Sequence, residues 1–71
     1  MRVSNVQAEK ILKGNNKFTQ FGFGLLVSRL RGVYSRDTSQ KTIITAAEEI
    51  NKFLEKFDSI MAEDFATIQK L

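Results

Sequence analysis

From Lys41 to Leu71 the chain contains neither glycine nor proline, the residues that most often interrupt a helix. Apolar residues recur through this segment at intervals of three and four. They are Ile43, Ala47, Ile50, Leu54, Phe57, Met61, Phe65, Ile68 and Leu71. This spacing has the period of an α-helix. It predicts one amphipathic helix of about 30 residues, roughly 45 Å long.

A short helix is predicted near the N-terminus, over about residues 4–13. Ser4 and Gln7 have the spacing of a capping box, in which each side chain bonds to the other residue's backbone N–H. Gly14, Asn15 and Asn16 follow, and these residue types tolerate the left-handed backbone that often ends a helix.

The segment FTQFGFGLLVSRLRGVYSR, residues 18–36, is apolar on two sides. One stripe at helical spacing comprises Phe23, Leu26, Val27, Leu30, Val33 and Tyr34, and a second comprises Phe18, Phe21 and Leu25. A helix with two apolar stripes is normally buried between neighbours, so we expect both to be interior. Gly22 and Gly24 weaken the first turn by about 1 kcal/mol each relative to alanine. Either the glycines allow close helix packing, or the helix begins only near Gly24.

Residues 37–40 are turn and capping types, and Asp37 with Gln40 has the spacing of a second capping box. The sequence therefore predicts an all-α fold. A short N-terminal helix precedes a helical hairpin that ends in the long C-terminal helix, within a single domain over residues 1–71.

The residue types limit the chemistry that this chain can support. It has no histidine and no cysteine, so neither the usual nucleophile–base pairs nor a disulfide can form. Glu55 and Asp58 are three residues apart, but no histidine completes the arrangement that helical bundles use to hold metals. We expect a non-catalytic protein without metal or cofactor.

The charge is divided unevenly along the chain. Residues 1–36 contain seven basic side chains and one acid, whereas residues 37–71 contain four basic side chains and seven acids. One interpretation is a basic surface for a polyanion; its candidate residues are Lys10, Lys13, Lys17, Arg29, Arg36 and Lys41. The other is electrostatic pairing between the basic half of one copy and the acidic half of another.

The apolar stripe of the long helix is wider than the rest of the chain is expected to cover. A stripe of that kind marks a partner site. The predicted interface residues are Ile43, Ala47, Ile50, Leu54, Phe57, Met61, Phe65 and Ile68. We therefore expect a homodimer or higher homo-oligomer, formed as a helical bundle.

The function that these features favour is a small protein-interaction module of the bacterial or phage accessory type. It would self-associate and bind a macromolecular partner. The alternatives are a nucleic-acid-associated regulator that uses the basic N-terminal half, and an immunity-type or antitoxin-type binding protein. The longest uncharged stretch, residues 18–28, is eleven residues and too short to span a bilayer. We expect a cytoplasmic protein.

Three short resemblances bear on these alternatives. Residues 22–27, GFGLLV, resemble part of a strand of RNA-recognition motifs, but the chain has no room for that fold beside a long helix. The first two predicted helices resemble a helix-turn-helix, although aromatic residues stand where a recognition helix needs polar ones. Residues 25–30, LLVSRL, resemble the helical bacteriocin-immunity proteins, over six residues only.

Overall fold

The structure, a computed structural model, describes residues 2–57, 60 and 62–71. Within these residues it contains four α-helices and no β-strand. The helices are α1 (Asn5–Lys13), α2 (Phe21–Arg36), α3 (Gln40–Lys56) and α4 (Ala62–Gln69). The all-α class is confirmed, and α1, α2 and α3 each pack against the other two.

The predicted capping box at the start of α1 is confirmed. The Gln7 N–H donates to Ser4 Oγ at 3.1 Å, and the Ser4 N–H donates to Gln7 Oε1 at 2.9 Å. The end of α1 differs from the left-handed cap that the sequence suggested, because Gly14 is extended, with φ −80° and ψ 174°. Arg31 contributes to this end instead: its Nε donates to the Ile11 carbonyl at 3.0 Å.

Helix α2 begins at Phe21, so the glycines at positions 22 and 24 lie inside its first turns. It buries Phe23, Val27 and Leu30, all members of the first apolar stripe. Within a single chain the two stripes are not both interior. Phe21 and Leu25, from the second stripe, lie on the surface because no element among the described residues covers that side of α2.

The α2–α3 connection is capped two residues later than the sequence suggested. Ser39, rather than Asp37, is the N-cap of α3, and its Oγ accepts the Thr42 N–H at 3.4 Å. Asp37 lies two residues before this N-cap, and its Oδ1 accepts the Ser39 N–H at 3.1 Å. The hydrogen bonds from Ser39 hold the pKa of the Asp37 carboxyl below its usual value.

The prediction of a single C-terminal helix of about 30 residues is wrong. Helix α3 ends at Lys56, Phe57 is extended with φ −123° and ψ 97°, and α4 begins at Ala62. Part of the predicted helix, residues 58, 59 and 61, lies outside the described residues. A rod of about 45 Å would be longer than the whole molecule, whose longest axis is 31 Å.

The physical reason for the break is that the last turns of the chain complete the core of their own subunit. Ile60 and Ile68 are buried, and the Asp64 carboxylate is 1% exposed. Asp64 Oδ1 accepts the Thr19 N–H at 2.7 Å and Oδ2 accepts the Gln20 N–H at 2.8 Å. These two N–H groups immediately precede α2, and hydrogen bonds of this kind stabilise a carboxylate near the positive partial charge of a helix N-terminus.

Most of the residues predicted to form an interface lie in the core of one chain. Ile43, Ala47, Ile50, Leu54 and Ile68 are buried there, and Phe65 is partly buried against them. Phe57 is exposed, and Met61 lies outside the described residues. The chain's own helices cover most of the stripe, so the premise that a second copy must cover it does not hold.

Candidate protein-binding face between α2 and α3

A series of aromatic rings leads from the core to the surface between α2 and α3. The Phe23 ring is fully buried and lies 5.3 Å, centroid to centroid, from the Phe53 ring. The Phe53 ring lies 4.6 Å from the ring of Phe57, which is 42% exposed. The rings are tilted by 39° and 34° to one another, and such aromatic contacts are favourable, so the exposed Phe57 ring packs on a ring that itself reaches the core.

The Phe53 ring packs near position 22 of α2. A Cβ atom at position 22 would be 3.5 Å from two carbon atoms of that ring, which is ordinary van der Waals contact. Beside the ring is an open groove of about 240 Å³, with Leu26 on its α2 side and Phe57 at its α3 end. Its remaining walls are Glu49, Lys52 and Lys56.

The apolar surface extends beyond this groove along α2. Phe21 is 80% exposed and Leu25 is 57% exposed, and the two lie one turn apart. Leu25 also lies one turn after position 22, where a Cβ atom would be in van der Waals contact with the Phe53 ring. We call the surface formed by Leu25, Leu26, Phe53 and Phe57 the α2–α3 face.

Charged residues border the α2–α3 face on its α3 side. Arg29 Nη2 lies 3.0 Å from Glu49 Oε1, in an ion pair that joins the two helices. Lys52 and Lys56 follow at the next two turns, both exposed and neither paired with a carboxylate among the described residues. The groove therefore has an apolar floor and a basic rim.

The structure separates the six candidates for polyanion binding into two groups. Lys10 Nζ donates to the Leu71 carbonyl at 2.6 Å, Lys13 pairs with Glu9 at 2.8 Å, and Arg29 pairs with Glu49. The Glu9 hydrogen bond raises the pKa of Lys13. The other three, Lys17, Arg36 and Lys41, are exposed without an ion pair in the described part of the chain.

The opposite charges of the two halves meet within one chain. Arg2 pairs with Glu55 at 2.8 Å, and Arg29 pairs with Glu49. Exposed pairs of this kind contribute little, about 0–1 kcal/mol each. They show that part of the opposite charge of the two halves is paired within a single chain.

Three polar side chains that the sequence did not single out for structural roles hold the segments together. Asn51 is buried on α3; its Oδ1 accepts the Val3 N–H at 2.7 Å and its Nδ2 donates to the Val3 carbonyl at 3.0 Å. Arg31 and Asp64 bind the end of α1 and the start of α2. A polar residue that falls among core positions is the available signal, as Asn51 does beside Ile50.

The described residues contain no group of three or more acidic side chains that could hold a metal ion. None of the helices in the described ranges is both long enough and apolar enough to span a membrane.

The chain was compared with family models, curated proteins and solved structures. No family model matches it, and no curated protein or solved structure matches it significantly.

Proposed function

We propose that this protein is a non-catalytic protein-interaction module whose α2–α3 face binds an amphipathic helix of a partner protein. The observation that carries the proposal is the exposure of Phe57 in the groove and of Leu25 beside it, in a chain whose core is otherwise well formed. Contiguous exposed apolar side chains with a polar border are typical of protein-binding surfaces.

A helix is the partner element that suits this surface. Two packed helices form a groove, and an amphipathic helix binds such a groove through apolar residues at successive turns. Lys52 and Lys56 border the groove and favour acidic residues on the partner helix. An immunity-type or antitoxin-type protein that covers one target would use the same mode of binding.

Selection from a displayed library of helical peptides tests this proposal. We expect the selected peptides to carry apolar residues at three- and four-residue spacing, flanked by acids. The double variant Leu25→Ser with Phe57→Ser should weaken their binding at least about tenfold, because exposed hot-spot side chains contribute about 1.4 kcal/mol or more. Its circular dichroism must remain helical.

Val6→Ser is the matched control for this experiment. Val6 is 62% exposed on α1, away from the α2–α3 face, so its replacement should leave peptide binding unchanged. Peptides that bind the double variant as tightly as the native chain, or that the control weakens equally, would contradict the proposal.

Self-association through the same face is the second candidate, and it keeps the homodimer that the sequence favoured. A chain of this size stabilises itself weakly, and a second copy would cover the same exposed side chains. Light scattering at micromolar concentration measures this directly. A dimer that Leu25→Ser with Phe57→Ser converts to a monomer would support self-association, whereas a monomeric native chain would exclude it at that concentration.

A further inference from the structure

A second cleft lies on the opposite side of α2 from the groove, against the segment that joins α1 to α2. Its volume is about 280 Å³. Gly24, Ser28 and Arg31 line it from successive turns of α2, and Asn16, Lys17 and Phe18 line it from the connecting segment. This cleft is separate from the α2–α3 face and independent of the function proposed for it.

Arg31 is held in place at this cleft by two hydrogen bonds. Its Nε donates to the Ile11 carbonyl at 3.0 Å and its Nη1 donates to the Asn16 carbonyl at 2.9 Å. Its third nitrogen, Nη2, is buried and has no hydrogen-bond partner among the described residues. A buried donor left without an acceptor costs about 1–3 kcal/mol, so an acceptor at this position would be stabilising.

The charge around the cleft is positive. Lys17 and Arg31 both line it, and no acidic residue is among its described lining residues. Ser28 adds a hydroxyl that can donate a hydrogen bond. Burial lowers the pKa of Arg31, and a nearby anion would offset this loss of hydration.

We propose that the cleft between residues 16–18 and α2 binds a phosphate group, with Arg31 and Lys17 supplying the charge and Ser28 a hydrogen bond. A phosphate monoester carries a charge of about −1.5 to −2 at neutral pH, which matches two cations better than a single carboxylate does. A fixed guanidinium with unused donors is the side chain best suited to binding phosphate oxygens.

Titration of the ¹⁵N-labelled chain with inorganic phosphate, at constant ionic strength, tests the site by NMR. We expect saturable shifts of the Lys17 and Ser28 amides and of the Arg31 Nε–H signal. Acetate should bind at least about fivefold more weakly, because it offers one negative charge. Lys17→Ala should weaken phosphate binding about fivefold, since an exposed charge contributes about 1 kcal/mol.

Lys70→Ala is the control because Lys70 is also an exposed lysine but does not line the cleft. We use Lys17 rather than Arg31 for the variant because Arg31 also holds the end of α1. Shifts spread over exposed lysines throughout the chain, or equal effects of Lys17→Ala and Lys70→Ala, would overturn the proposal.

A short single-stranded oligonucleotide, added in a parallel titration, distinguishes the two sources of phosphate. If it shifts the same signals at lower concentration than inorganic phosphate, the site binds the backbone of a nucleic acid. If only inorganic phosphate shifts them, the ligand is a small phosphate compound. Both results support the phosphate site, and no localised shift with either probe would contradict it.

Discussion

The two flanks of α3 are covered to different extents. On one flank, the segment before α1 lies against α3: the Val3 backbone makes two hydrogen bonds with buried Asn51, and Arg2 reaches Glu55 on the surface. On the other flank, the Phe53 ring is partly buried against α2 and the Phe57 ring is exposed. The chain thus closes one side of α3 with a specific polar contact and leaves the other open.

Poor packing of a small chain does not explain why this side of α3 is open. The same helix forms a tight buried contact with residue 3, and neither Ile50 of α3 nor Phe23 of α2 has exposed surface. Apolar residues that stay outside such a core are available for another molecule. The contrast between the closed and open flanks can be tested by substitutions on each.

The largest effect is expected on the closed flank, from Asn51→Leu. The change leaves the Val3 N–H and carbonyl without their partner while keeping the side chain's volume. We expect the free energy of unfolding in urea to fall by about 2–4 kcal/mol, because two buried backbone groups lose their hydrogen bonds. Lys52→Ala, at the neighbouring exposed position, is the control and should change it by less than about 0.5 kcal/mol. An equal effect of both variants would show that the closed flank is not specifically held.

A medium effect on stability is expected from replacing glycines of α2 with alanine. A Cβ at Gly32 would meet no atom within 4 Å, so Gly32→Ala should raise the free energy of unfolding by about 0.5–1 kcal/mol. A Cβ at Gly24 would lie 3.2 Å from the Phe18 carbonyl oxygen. Gly24→Ala should therefore raise the free energy of unfolding clearly less than Gly32→Ala does. Thermal unfolding compares the two. A larger gain at position 24 would mean that the connecting segment moves away from α2 easily.

The smallest effect on stability is expected from Phe21→Ser, at the exposed start of α2. Because this ring is mostly exposed, its removal should change the free energy of unfolding by no more than about 0.5 kcal/mol. Urea unfolding measures this, and Phe23→Ser, two residues away in the core, provides the contrast with a large loss. A loss of more than about 1 kcal/mol in the free energy of unfolding of Phe21→Ser would show that this ring contributes to the stability of the fold.

Local patterns predicted the helices well and their ends less well. The Ser4–Gln7 capping box and the core stripe of α2 could be found from spacing alone, because capping and periodicity depend on near neighbours. The break after Lys56 could not. Nothing in residues 41–71 interrupts a helix locally, and the decisive contact joins Asp64 to Thr19 and Gln20, which are far away in sequence.

The candidate sites were likewise only partly predictable from the sequence. The sequence marked Phe57 among its interface residues because of its place in the apolar stripe, and Lys17 among its basic ones because of its residue type. It did not show that Phe53 and Gly22 meet across two helices, or that Arg31 is fixed by carbonyls of α1 and of the following segment. Those contacts depend on how the helices pack.

The amino-acid sequence by itself determined that this chain is helical, because apolar periodicity and capping act over a few residues. It also limited the chemistry, because a chain without histidine and cysteine lacks the usual catalytic groups. Only the tertiary structure decided which apolar residues are core and which are surface. Burying apolar area in one small subunit, together with a carboxylate that binds the start of α2, favours a folded-back C-terminus over a long exposed helix.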